Sequence, residues 1–136
     1  MADEGEPLDS PRLRATVGPV VGVAFHAFAE QPWRLEGLDP ALRAQAEAYI
    51  ASIEAAYPAE RRHQHLHLGH LSEVVLPEDG PVITAANIAR FSFTATAGEL
   101  RERARPLAAD GVTELAVQPG GDVPDGLRRL AAALLG

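Results

Sequence analysis

The chain has 136 residues, 46% of them hydrophobic and 23% charged, a length that allows one domain with its own core and leaves little room for a second. Nineteen acidic against twelve basic side chains give a net charge of −7, which speaks against nucleic acid, whose binding needs a positive field to displace phosphate counterions. There is no cysteine and every basic residue is arginine, so disulfides, thiolate metal centres, cysteine nucleophiles and lysine Schiff bases are excluded.

Residues 1–10, acidic and broken by Gly5 and Pro7, read as a flexible or edge-packed lead to a single domain over 11–136. Their lack of an apolar core argues against an export signal. No apolar run reaches the ~18–20 residues of a membrane span. A cytoplasmic protein with no membrane partner is therefore expected.

Asp9 or Ser10 can cap a helix with Pro11 at its first position. Leu13, Val17, Val20, Val21, Ala24, Phe25 and Phe28 then recur at helical intervals. Gly18-Pro19 predicts a break there, with a longer helix beginning near Pro19 and closing at Pro32. Asp39-Pro40 opens a second helix to about Ala56, with Leu42, Ala46, Tyr49, Ile50 and Ile53 as its apolar stripe. A short helix is expected from Pro58, carrying Glu60, Arg61 and Arg62 on its charged face. His70–Leu76 reads as a short strand or extended connection before the turn PEDG. Thr84 caps a short helix through Ile88 and Phe91.

Thr96 with Glu99 three residues on forms a capping box for a helix from Ala97 to Asp110. Leu100, Ala104, Leu107 and Ala108 make its buried face, and Gly111 ends it. Val112–Val117 alternates with period two and predicts a strand. Pro119-Gly120-Gly121 turns the chain, Asp122 or Pro124 restarts it, and Leu127–Leu135 is a terminal helix. Helix, glycine, strand, glycine-rich loop, helix is the grammar of a parallel α/β unit. The fold class expected is helix-rich α/β with few strands.

The densest chemical constellation is RRHQHLHLGH, with His63, His65, His67 and His70 within eight residues. On a helix His63, His67 and His70 share a face; on a strand His63, His65 and His67 do. Such a cluster serves as a metal site, as hydrogen-bonding groups facing a substrate, or as surface and packing residues. A metal is not assigned, because there is no HExxH framework and Glu73 is the only acidic candidate near in sequence. His26, between Phe25 and Phe28, is either a hydrogen-bonded core residue or a substrate contact. Trp33 either floors a pocket or anchors two helices. Gly120-Gly121 offers amides to a phosphate, but Asp122 sits where the anion would go. No GxGxxG, Walker or GxSxG motif is present.

GEPLDSPRLRATVGPVVGVAFHA, PAERRHQHLHLGHLSEV and FTATAGELRERARPLAADGVTELAVQPGG together resemble the carboxy-terminal half of luciferase-like monooxygenases. The similarity is strongest to the methylenetetrahydromethanopterin reductase-like branch and runs from about Gly5 to Gly136. The family's Gly-Thr-Pro-Glu-Glu-like helix start reads Ala95-Thr96-Ala97-Gly98-Glu99 here. Its His-Glu-Gly-His-like box reads His67-Leu68-Gly69-His70, without the glutamate. The resemblance implies half of a (β/α)8 barrel, with Val112–Val117 as the last strand and Leu127–Leu135 as the last helix. It implies an oxidoreductase or monooxygenase using FMN or a deazaflavin coenzyme on a small-molecule substrate. His67 and His70 would be catalytic, steadying an oxyanion or exchanging a proton, with His26, Trp33 and His63 as substrate contacts. The family's flavin-binding strands precede Gly5 and are missing, so a homodimer or a partner chain supplying the other half is expected. The alternative is a non-redox small-molecule-binding or accessory descendant using a histidine-lined cleft.

Overall fold

Side-chain caps decide where the helices of this chain begin. Ser10 accepts the Leu13 N–H, Asp39 the Leu42 N–H, Thr84 the Asn87 N–H and Thr96 the Glu99 N–H. Each satisfies a donor that the first helical turn leaves unpaired. In the computed structural model, which describes residues 1–69 and 75–135, these caps open α1 (Pro11–Glu30), α2 (Pro40–Ala56), α4 (Ala85–Phe91) and α5 (Ala97–Ala109). Helices α3 (Ala59–Gly69) and α6 (Val123–Leu135) and two 3-10 turns, Pro32–Leu35 and Pro77–Val82, complete the secondary structure. The chain is 70% helical, and no strand occurs among the described residues.

Two sequence expectations are corrected. The first concerns Gly18-Pro19, which does not break α1: the helix runs through Pro19 without interruption. An interior proline loses one hydrogen bond and crowds the preceding turn, a cost of about 3 kcal/mol. Here Gly18 and Pro19 are both buried, and Gly18 packs against Ile83. Tertiary packing therefore holds a helix that local preference disfavours.

The second concerns Val112–Val117, which forms no strand, and no backbone hydrogen bond joins residues 113–120 to another described residue. A strand needs a neighbour for its ladder, and none of the described segments offers one. The segment His70–Leu76, expected as a short strand or an extended connection, lies mostly outside the described residues; Val75 and Leu76 are irregular. The end of α5 is as expected. Gly111 at φ 89° follows it, with Val112 N–H on Leu107 O and Gly111 N–H on Ala108 O. This Schellman pairing satisfies two terminal carbonyls. Ala108, expected on the buried face of α5, is exposed, while Leu100 is buried.

The core lies where α1, α2 and α4 meet. Phe25 is fully buried and stands edge-to-face with Phe28, Tyr49 and Phe91. Leu42, Ala46, Tyr49 and Ile53 bury one face of α2. Residues 1–10 are tied down: buried Ala2 donates its N–H to Ala95 O at 3.0 Å, Asp3 pairs with Arg129 on α6, and Arg12 on α1 holds Met1 O, Asp3 and Glu6. No helix among the described residues is long and apolar enough to cross a membrane.

Candidate functional site

Along α1, Arg14, Gly18, Gly22, His26 and Glu30 follow one another at intervals of four, so they form a continuous row on the helix surface. The first four hold the turn Pro77–Val82 and the residue after it. Arg14 donates to the carbonyls of Gly80 and Ile83. Gly18 and Gly22 have no side chain to keep the turn away: a Cβ on Gly22 would stand 2.6 Å from Asp79 Oδ2. His26 Nε2–H donates to Asp79 Oδ1 at 3.0 Å.

Asp79 is fully buried and also accepts from the Tyr49 hydroxyl at 2.9 Å and the Leu76 N–H at 2.9 Å. Burial alone would raise its carboxyl pKa. The hydrogen bonds from His26, Leu76 and Tyr49 outweigh burial and hold it below the ordinary range. The same arrangement pushes the Tyr49 phenol far up, through burial and the neighbouring carboxylate.

Glu78, next in the turn, accepts from the Tyr57 hydroxyl at 2.7 Å and faces His65 Nε2 at 3.3 Å. The Tyr57 and His65 rings stack at 3.8 Å between centroids. Burial would raise the Glu78 carboxyl, but these donors bring it down. Two adjacent carboxylates thus fasten one turn to α1, to α2 and its following residue, and to α3.

The last member of the row, Glu30, meets α3 instead. Histidines 63 and 67 are four residues apart on that helix, so both rings leave the same face, their centroids 4.0 Å apart. His63 Nδ1 lies 2.7 Å from Glu30 Oε1, and His67 Nε2 lies 3.3 Å from the same oxygen. Beside them a cleft of about 270 Å³ opens between α1, α2 and α3. Ile50, Ile53 and Leu66 form its apolar wall, with Glu30, Arg62 and His63 at its edge. Arg62 is engaged with Glu54 at 3.2 Å.

The predicted site residues therefore separate. His63 and His67 stand together beside the cleft. His26 is buried in the clamp on Asp79, as a hydrogen-bonded core residue. Trp33 is 65% exposed on the first 3-10 turn and does not line the cleft. His70 lies outside the described residues. Sequence reasoning missed Glu30, 33 positions from His63, and Asp79, which reads as an ordinary turn acid in PEDG. The spacing of Gly18 and Gly22 was the one available sign that something approaches α1 closely.

The cleft, at about 270 Å³, lies just below the ~300–1,000 Å³ of ordinary ligand pockets. A second hollow of about 310 Å³, lined by Ala2, Asp3, Arg101, Arg129 and Ala133, lies where the chain start meets α5 and α6. The helix N-terminus after Gly120-Gly121 is already taken: Asp122 Oδ1 accepts the Asp125 N–H at 2.9 Å. A Cβ on Gly120 would stand 2.2 Å from the Thr16 carbonyl oxygen, so α1 covers one side of that loop. With no lysine in the chain, a phosphate would have to be met by arginines; of these, Arg90 is paired with Asp39 at 2.9 Å and Arg101 donates to Ala133 O. No family model, no curated protein and no solved structure matches this chain.

Proposed function

We propose that the chain acts as a half-length relative of the luciferase-like flavin- or deazaflavin-dependent oxidoreductases, working as a homodimer or with a partner chain. The observation that carries this reading is the segment after α5. Val112, Leu115 and Val117 are exposed apolar residues on a backbone without ladder partners, followed by α6 with Val123 and Leu127 exposed as well. Exposed apolar residues on an extended, unpaired backbone are what a barrel's last strand presents when its neighbours are elsewhere. A second chain that pairs with this segment would restore the (β/α) layering and bring the surfaces a cofactor needs. Within this chain, His63 at the cleft edge binds and orients a small substrate, with His67 stacked beside it, and an imidazole there donates a hydrogen bond or carries a proton.

A second reading is favoured by Asp122, whose side chain takes an amide at the start of α6 where a coenzyme phosphate would sit. In it the chain is a non-redox small-molecule-binding or accessory protein that uses the same histidine-edged cleft.

One titration separates the two. Purified protein is titrated with FMN and with a deazaflavin coenzyme, following ligand fluorescence and sedimentation together. Saturable micromolar binding by a dimer supports the oxidoreductase reading. Binding of neither coenzyme by any assembled form overturns it in favour of the second.

A further inference from the structure

The geometry points to a divalent transition-metal site of the zinc type built by Glu30, His63 and His67, independent of any flavin. Its three ligand atoms, one from each side chain, lie within 4.8 Å of one another. Zinc bonds to imidazole nitrogen and carboxylate oxygen measure ~2.0–2.2 Å, so neighbouring ligand atoms around a tetrahedral ion stand roughly 3.3 Å apart. The His67–Glu30 separation is 3.3 Å, and the His63–Glu30 separation is 2.7 Å. The second opens by about half an ångström when hydrogen bonding gives way to coordination. That is an easy movement for His63, whose side chain is 72% exposed.

The scaffold favours chelation. Two histidines at i and i+4 on α3 present their rings on one face without rearrangement of the backbone, and Glu30 comes from the end of α1, in a row anchored by the Asp79 clamp. The donor set of two nitrogens and one oxygen selects zinc, copper or nickel over magnesium or calcium, which take oxygen ligands. Three protein ligands leave a fourth position for water or a small anion. Glu30 and His63 both line the cleft, so that position adjoins the cavity assigned above to a small ligand. The sequence argued against a metal because it shows no HExxH framework and, apart from Glu73, no acidic candidate near the histidines. The fold supplies one from a different helix.

The test uses the full chain without a histidine tag. Zn²⁺ is titrated by calorimetry, and Co²⁺ by visible absorption to read its coordination geometry. We expect one equivalent to bind saturably, with a four-coordinate cobalt spectrum and no competition from Mg²⁺. Glu30→Gln, His63→Ala and His67→Ala should each weaken binding by roughly tenfold or more. His65→Ala removes a histidine of the same helix that faces Glu78 instead, and should leave affinity unchanged. Circular dichroism verifies the fold of each variant. Because His63 is exposed, H63A decides the matter even where another variant unfolds. The inference is overturned by the absence of saturable binding, by equal losses in H65A and H63A, by an E30Q variant that binds as the parent does, or by equal binding of Mg²⁺. Flavin binding is read separately, so failure here leaves the oxidoreductase reading standing.

Discussion

Removing the Asp79 carboxylate is expected to be the most damaging single change in this protein. The side chain is fully buried and accepts three hydrogen bonds, from His26 on α1, Tyr49 on α2 and the Leu76 amide. Hydrogen bonds to a charged acceptor contribute about 1.5–3 kcal/mol each, and deleting one partner of a buried pair costs about 3–5 kcal/mol because the others are stranded. Asp79→Ala should therefore lower the unfolding free energy by about 3–5 kcal/mol, a large share of the ~5–15 kcal/mol typical of a domain. At roughly 4 °C per kcal/mol for a chain of this size, Tm falls by about 12–20 °C. Asp79→Asn keeps the shape, removes the charge and turns one acceptor into a donor, so its loss should be smaller but in the same direction.

The pH dependence gives a second reading of the same bond set. The Asp79 carboxyl is held below its ordinary value, so its contribution is complete above the unfolded pKa of ~3.9 and fades as pH falls through the lower folded value. Urea unfolding of parent and D79N should differ at pH 7 and converge in acid below about pH 4. A parent–variant gap that is absent at pH 7, or that does not shrink in acid, would refute the clamp as described.

Four further outcomes follow from the same structure. Gly22→Ala gains up to ~1 kcal/mol in helix propensity but drives its Cβ into the anchored Asp79 carboxylate. Net destabilisation of about 1–2 kcal/mol is expected by denaturant titration. The Cβ of Gly18→Ala would stand 2.9 Å from Cδ1 and 3.3 Å from Cγ2 of Ile83 and 3.5 Å from Val75. Ile83 is buried, so the crowding should offset the propensity gain and leave a net loss of about 0–1 kcal/mol. Thr96→Ala breaks the reciprocal capping of α5 with Glu99 and should cost about 1 kcal/mol in thermal unfolding. Leu115→Lys changes an exposed residue of the segment after α5, so helical content should hold in circular dichroism. Sedimentation should show loss of any assembly formed through that segment; unchanged assembly would exclude the segment as an interface.

Much of this fold is written locally. Asp39-Pro40, Thr84, Thr96 with Glu99, and Gly111 each act within a single helical turn. A side-chain cap or a positive φ is an interaction among neighbours in sequence, and that is why the starts of α2, α4 and α5 and the end of α5 could be read directly. The stripe Leu42, Ala46, Tyr49 and Ile53 was legible for the same reason, since helical periodicity needs no knowledge of what it packs against. What escaped the sequence depends on residues far apart. Pro19 stays inside α1 where it is buried beside Gly18, which packs against Ile83 more than sixty residues later. Val112–Val117 has the pattern of a strand, yet pairing needs a second strand that the described chain does not bring. The histidines of α3 were visible at once, but their carboxylate partner belongs to α1, and Asp79 became a structural hub only when His26 and Tyr49 were carried to it. Local chemistry set the helix caps and stripes, and tertiary packing decided which distant polar groups meet.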